Sequence, residues 1–449
     1  MNELNEIING GYCIGCGACA SVSEKSPKII ENKYQKYQAY TDDNIDKKSL
    51  STALSICPFS NQGLNEDELS TKIFVTSEGT VGEVIGYYRS LYAGHVEEDS
   101  IRLKTTSGGI ITWTLNQLLE KNMVDAVIHI HKSNKQGVLF EYGISHTTEE
   151  VLAGAKSRYY PVEISKVMNF VRENDGRYVF VGLPCFIKAV RKLCLVDSVI
   201  NQRIKFCIGL VCGHLKSKAF ADFVGWQAGI KPERLAEIDF RYKLVNQAAD
   251  NYGIYVKDIE GNSKILATKN IPGANWGLGY FKYEACDYCD DIFSETADIA
   301  VGDAWLSHYT SDYKGNSVVI TRNEEIDKLI KDGIRTGSLK LDDLSEDEMR
   351  KAQGGAFRHR RSGLGYRLYL KQKRGEWAPI KRVPINRNGI STSRRLIYKL
   401  RVYLRVKSSE YWMQARQNCN YNSFERHMHW PTYYYNTLLK LSIYIKKFK

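Results

Sequence analysis

Three cysteines spaced by two residues, Cys13, Cys16 and Cys19, are followed well downstream by the pair Cys57-Pro58. Bacterial ferredoxins run Cys-x2-Cys-x2-Cys-x3-Cys-Pro, and in two-cluster forms the cysteine before proline serves the other cluster. Here Ser23 stands where the fourth cysteine of the run would be. The triplet and Cys57 therefore make one complete four-thiolate set, and what is missing belongs to a second, lost site. Two intervening residues let a tight loop wrap one corner of a cubane. Gly15 and Gly17 supply backbone conformations closed to bulkier residues. The spacing predicts a [4Fe-4S] centre; the alternative is a structural zinc site with four cysteines, which usually arrive as paired Cys-x2-Cys units.

A chain of 449 residues with 43% hydrophobic and 25% charged residues has room for two or three domains of an ordinary globular protein. The opening segment MNELNEIINGG is acidic and polar, unlike a signal peptide. No apolar run reaches the roughly 18 residues of a spanning helix. The eleven cysteines are accordingly expected in a reducing cytoplasm, where spaced cysteines hold metal or do chemistry. Charge is uneven: residues 365–449 hold 19 Lys and Arg against 3 Asp and Glu, or +16, so the remainder of the +12 chain carries −4.

These patterns divide the chain into residues 1–72, a ferredoxin-like iron–sulfur domain; 73–364, a central α/β domain; and 365–449, a basic, tyrosine-rich, mainly helical extension. The fold class expected is α+β to α/β with a mixed sheet. Residues 108–122 carry Ile111, Leu115, Leu118 and Leu119 at helical spacing, and 163–174 repeat it with Ile164, Val167, Met168 and Val171. Segments 124–131, 177–182 and 203–211 read as buried strands, 253–267 as a hairpin turning at 260–263, and 296–305 as a last strand.

A second thiolate set is more scattered. Cys185 and Cys212 each follow a strand, which puts both on the carboxyl-end rim of a parallel sheet, where open α/β sheets bind ligands. Cys286 and Cys289 add a Cys-x2-Cys pair. Cys207 falls mid-strand; it, Cys194 and Cys419 read as buried structural cysteines. Separately, Ser107, Gly108 and Gly109 open a helix whose N-terminal amides can receive phosphate, and Lys156, Ser157 and Arg158 could neutralise a pyrophosphate. Each alone also reads as a plain helix cap or a solvated loop.

Taken in order, Ser107-Gly108-Gly109, AKSRYYPV (155–162), VGLPCFIKAVRK (181–192), VCGHLKS (211–217), IDFRYK (238–243), CDYCDD (286–291) and ADIAVGD (297–303) resemble the coenzyme F420 hydrogenase/dehydrogenase beta-subunit family, which also includes 7-hydroxymethyl chlorophyll a reductase. The resemblance implies an iron–sulfur flavoprotein oxidoreductase holding FAD and two [4Fe-4S] clusters. By position it assigns FAD contacts to Ser107, Gly108, Gly109, Lys156, Ser157, Arg158, Tyr159, Gly182 and Pro184. The second cluster falls to Cys185, Cys212, Cys286 and Cys289, and the catalytic, flavin-side cations are Arg241 and Lys243. Use of F420 itself is not required by it. The departures are Ala155-Lys156-Ser157-Arg158-Tyr159 in place of Gly-Ser-Lys-Tyr, a single cysteine set in the first domain, and the basic tail.

The expected chemistry is passage of electrons from a one-electron donor protein such as ferredoxin, through the clusters to FAD, and on to an organic substrate such as a lipid-linked or surface-polysaccharide precursor. His214 and Asp303 flank the expected site as proton-donor candidates. A relay subunit without its own substrate is the alternative within redox chemistry, and a zinc-stabilised docking scaffold is the alternative outside it. The tail reads as a peripheral contact with the inner membrane surface. It contains no recognised nucleic-acid module.

Overall fold

A computed structural model describes residues 3–41, 45–74 and 78–447. At its centre is an eight-stranded sheet. In chain order its strands are β1 (Ser90–Val96), β2 (Ala126–Lys132), β3 (Phe140–Ser145), β4 (Tyr178–Gly182), β5 (Ile204–Leu210), β6 (Ile299–Asp303), β7 (Ser317–Thr321) and β8 (Leu339–Asp343). They lie side by side as β8-β1-β7-β6-β5-β4-β2-β3. β2, β4, β5 and β6 run parallel, and the strands added at either edge are antiparallel. The mixed sheet is the one expected.

Strand periodicity sorts the two faces. Val127, Val179, Phe206 and Ile208 point to one layer, where the helices Ile110–Glu120 and Glu324–Arg335 pack. Ala126, Ile128, Phe180 and Cys207 point to the other, with the helix Pro184–Val196. A three-stranded antiparallel sheet, Leu235–Tyr242, Gly253–Asp258 and Ser263–Ala267, stands beside it and turns where the sequence placed the turn. In the N-terminal segment the cysteine loop precedes a hairpin, Lys28–Glu31 with Tyr37–Tyr40, and the helix Lys47–Ile56.

The tail departs most from its reading as an appended extension. Its helices Thr392–Gln417 and Tyr421–Lys447 pack on each other and on the body. Ile397, Leu404, Trp412, Phe424 and Tyr435 belong to the same hydrophobic core as Ile7 and Tyr12 of the N-terminal segment and Phe180 of β4. One core thus runs through all three segments. Cys194 and Cys207 are buried as expected, but Cys419 is exposed, at the turn joining the last two helices. The last two residues of the tail, 448 and 449, lie outside the described residues.

Candidate functional site

Cys13, Cys16 and Cys19 lie on the loop after the helix Glu3–Asn9, and Cys57 ends the helix Lys47–Ile56. Gly15 (φ 62°) takes a left-handed conformation, and a Cβ there would strike the Tyr37 backbone at 2.4 Å. Amides of Ala39 and Gly15 donate to Cys13 Sγ at 3.2 and 3.4 Å. The four thiols are neighbours: burial first, then the negative charge of Cys57, pushes the Cys13 thiol up to about 11, and Cys57 acts likewise on Cys16 and Cys19. Lys188 and Lys192, on the helix behind, counter this at Cys57, and Lys192 Nζ donates to the Cys57 carbonyl at 3.0 Å.

The second set also assembles. Cys185 stands in the first turn of Pro184–Val196, just past β4, and Cys212 just past the neighbouring parallel strand β5. Cys286 and Cys289 lie on and directly after the single turn Glu284–Tyr288. After burial, the charges of Cys289, Cys212 and Cys286 raise the Cys185 thiol, and so does that of Cys16. The two sets are therefore adjacent. Arg360, 1% exposed, braces the second: it donates to Cys289 Sγ (3.0 Å), to the carbonyls of Cys212 and Gly213 (2.8 Å each), and to that of Asp291. Among the described residues no three His, Cys, Asp or Glu converge tightly enough for one metal ion. Tetrahedral zinc needs sulfurs about 2.3 Å from a single centre, whereas a four-iron cubane spreads its thiolates over a larger body.

Beside the second set a cavity of about 980 Å³ opens along the carboxyl rim of the sheet. Cys212, Gly182, Ser107, Gly109, Lys156, Ser157, Arg158 and Tyr159 all line it. No side chain caps the helix Ile110–Glu120, whose N-cap Gly109 has φ 84°, and Ile110 and Ile111 face the cavity. First-turn amides that have no partner within the helix are thereby left for an anion. Lys156, at φ 101°, turns the chain so that the Ser157 amide donates to Thr106 Oγ1 at 2.8 Å. Arg158 stacks on Phe140 at 4.8 Å, and its Nε is buried without a partner. At this size the cavity is at the upper end of ligand pockets, about 300–1,000 Å³, and its helix terminus and small residues suit a dinucleotide.

Three expected contacts fall elsewhere. Gly108 and Pro184 do not line the cavity; a Cβ on Gly108 would meet the Gly94 carbonyl at 2.5 Å, so this glycine serves close packing. Lys243 is turned away, donating to the carbonyls of Arg102, Ser107 (3.1 Å) and Lys314, and thus holding the Ser107 loop. Burial, then Lys156, Arg102 and Arg241, brings its pKa down to about 7. Arg241 does reach the cavity, but both terminal nitrogens are bonded to Asp303, at 3.0 and 2.8 Å, and its plane lies 4.1 Å from the Tyr252 ring. His214 lines the cavity against Trp276 at 4.2 Å with Nε2 unpartnered; burial and then Lys216 hold its pKa well below the usual.

Several important residues carry no signal in the sequence. Asp287, fully buried, bonds Lys282 and His359 (3.0 Å) and pairs with Arg405 (2.9 Å). Arg382 binds Glu295, Asp290 and Asp67 and ties the second cysteine loop to the first domain. The only hint of these pairings is the acidic run CDYCDDIFSE facing a basic tail.

Two family models match the chain. The N-terminal model of the coenzyme F420 hydrogenase/dehydrogenase beta subunit covers residues 91–169, and the C-terminal model covers 175–347. The chain is 22% identical over 72% of its length to a coenzyme F420-dependent sulfite reductase of Methanocaldococcus jannaschii, of which it spans 46%. It is 21% identical over 56% of its length to the F420-dependent formate dehydrogenase subunit beta of that organism, of which it spans 60%. A chain of the F420-reducing [NiFe] hydrogenase complex from Methanosarcina barkeri superimposes with a TM-score of 0.51 at 18% identity, over 67% of this chain and 98% of that one.

Proposed function

This chain belongs to the coenzyme F420 hydrogenase/dehydrogenase beta-subunit family, and from that premise we propose that it is an iron–sulfur flavoprotein oxidoreductase. The observation that carries this reading is the succession of Cys13/16/19/57, Cys185/212/286/289 and the 980 Å³ cavity: the charge of Cys16 is felt at Cys185, and Cys212 lines the cavity. Bound there, clusters would exchange single electrons and FAD pairs of them, so a one-electron donor and a two-electron substrate can be coupled. The protein's part is to hold and shield. Lys188, Lys192 and Arg360 offset the negative charge of the thiolate sets, while Ser107, Ser157, Arg158 and the Ile110 helix terminus would grip the pyrophosphate. Asp303 keeps Arg241 oriented at the cavity wall.

A ferredoxin-like donor should dock at the N-terminal loop. On that reading, reduced ferredoxin bleaches the flavin absorbance of anaerobic protein, and Cys57→Ser slows bleaching by roughly tenfold or more, a barrier change of about 1.4 kcal/mol. Unchanged bleaching in that variant counts against the relay. A relay subunit handing electrons to a partner enzyme is the second reading, favoured by likeness to a subunit of a hydrogenase complex.

No helix among the described residues is long and apolar enough to cross a membrane. The last helix nevertheless exposes Trp430, Tyr433, Tyr434, Leu441 and Tyr444 along one face, beside Lys440. That face supports a peripheral contact with an anionic surface. Co-flotation with phosphatidylserine vesicles should fall in the Trp430→Ser/Tyr434→Ser double variant; equal recovery of both proteins opposes this contact.

A further inference from the structure

We propose that the end of the cavity walled by the helix Thr392–Gln417 binds the carboxylate or phosphate group of the organic substrate, an inference that rests on the oxidoreductase reading above. The cations expected on the flavin side are engaged elsewhere: Lys243 by three carbonyls and Arg241 by Asp303. Most other buried cations nearby are also balanced. Lys282 meets Asp287, and Arg405 meets Glu284 and Asp287.

Lys216 and Arg401 have no carboxylate partner among the described residues. Lys216 is 1% exposed; its ammonium donates to the Tyr280 carbonyl at 2.6 Å and lies 4.6 and 5.0 Å from the ring centres of Phe220 and Trp276, with no carboxylate partner among the described residues. Arg401, half-buried, is bonded only to neutral partners, the Tyr435 hydroxyl (2.9 Å) and His359 Nδ1 (3.3 Å). Arg358 is exposed, and His214 contributes an unpartnered buried Nε2. All four line the same cavity. The Cys286 thiolate is the one negative charge acting on Lys216, and Arg401 has no carboxylate partner among the described residues; positive charge so thinly compensated is costly to bury, and the arrangement becomes favourable once an anion sits among these groups, with Arg401 offering a planar fork.

The site is distinct from the expected pyrophosphate cradle, which is built from the Ile110 helix terminus and the Ser107 and Ser157 loops. Trp276 joins the two: it lies 4.7 Å from Tyr159 of the cradle segment and 4.2 Å from His214. The anion would thus be anchored beside the ligand already in the cavity. Arg401 comes from the tail, which lies outside the matched family regions.

The test is calorimetric titration of inorganic phosphate and of acetate into full-length protein prepared without oxygen, with chloride holding ionic strength constant. Flavin content is measured in parallel. Saturable binding of either probe to wild-type protein is expected, weakened about tenfold or more in Arg401→Gln and in Arg358→Gln, with flavin content unchanged. No saturable binding to flavin-loaded protein, or affinity unaltered in both variants, overturns the proposal. Loss of flavin from both variants also overturns it, because the cations would then serve the cofactor. If the protein carries no flavin, the oxidoreductase reading fails, while anion binding still reads this site independently.

Discussion

A chain ended at Gly365 is expected to accumulate as insoluble protein without bound cofactor. The tail is strongly basic, but its buried face completes the core. Trp412 is 1% exposed and meets Phe223, Trp226, Phe281 and Phe424 with ring centres 5.4–5.8 Å apart. Ile397, Leu404 and Tyr435 are fully buried beside it. The truncation uncovers the apolar surface of Phe223 and Phe281 and deprives the buried Asp287 of Arg367 and Arg405. Trp412→Ala alone should cost about 3–5 kcal/mol, a large part of a typical total of about 5–15 kcal/mol. Denaturant unfolding of that variant checks the magnitude. Soluble truncated protein with a full complement of flavin would show that the tail is an appendage after all.

The second large effect is expected at Arg360. Its guanidinium satisfies three carbonyls and one thiolate at once, in a place that water does not reach. Arg360→Met removes the charge that offsets Cys212, Cys286 and Cys289, and leaves those carbonyls unpaired. Breaking a buried pair in this way costs about 3–5 kcal/mol. The expected result is selective: iron content falls from about eight to about four per chain, because the N-terminal set does not touch Arg360. Arg360→Lys should not restore the loss, since a point charge cannot reproduce the fork. Retention of all the iron in Arg360→Met would remove Arg360 from any role at the second set.

Legibility in the sequence followed the range of the interactions. The cysteine triplet, Cys57-Pro58 and the strand ends before Cys185 and Cys212 are local patterns, and the fold places them together as read. Ser107, Gly109 and the 156–159 segment are local patterns too, a helix terminus and a loop, and the fold lays them along one cavity. The engagement of Lys243 and Arg241 was not readable, because their partners, Ser107, Lys314 and Asp303, are 62–136 residues away. The tail misled most. Its net charge suggested an outward surface, but Arg367, Arg382 and Arg405 point inward, to Asp287, Glu284, Asp290 and Glu295. Composition reports the sign of a charge and says nothing about the acid it will face.

In the proposed reading, eight thiolates hold two cubanes next to a flavin in one continuous core. Iron, acid-labile sulfide and flavin determined on protein purified without oxygen decide whether they do. About eight irons, about eight sulfides and one FAD per chain are expected. Colourless protein holding a single zinc and no flavin would contradict it.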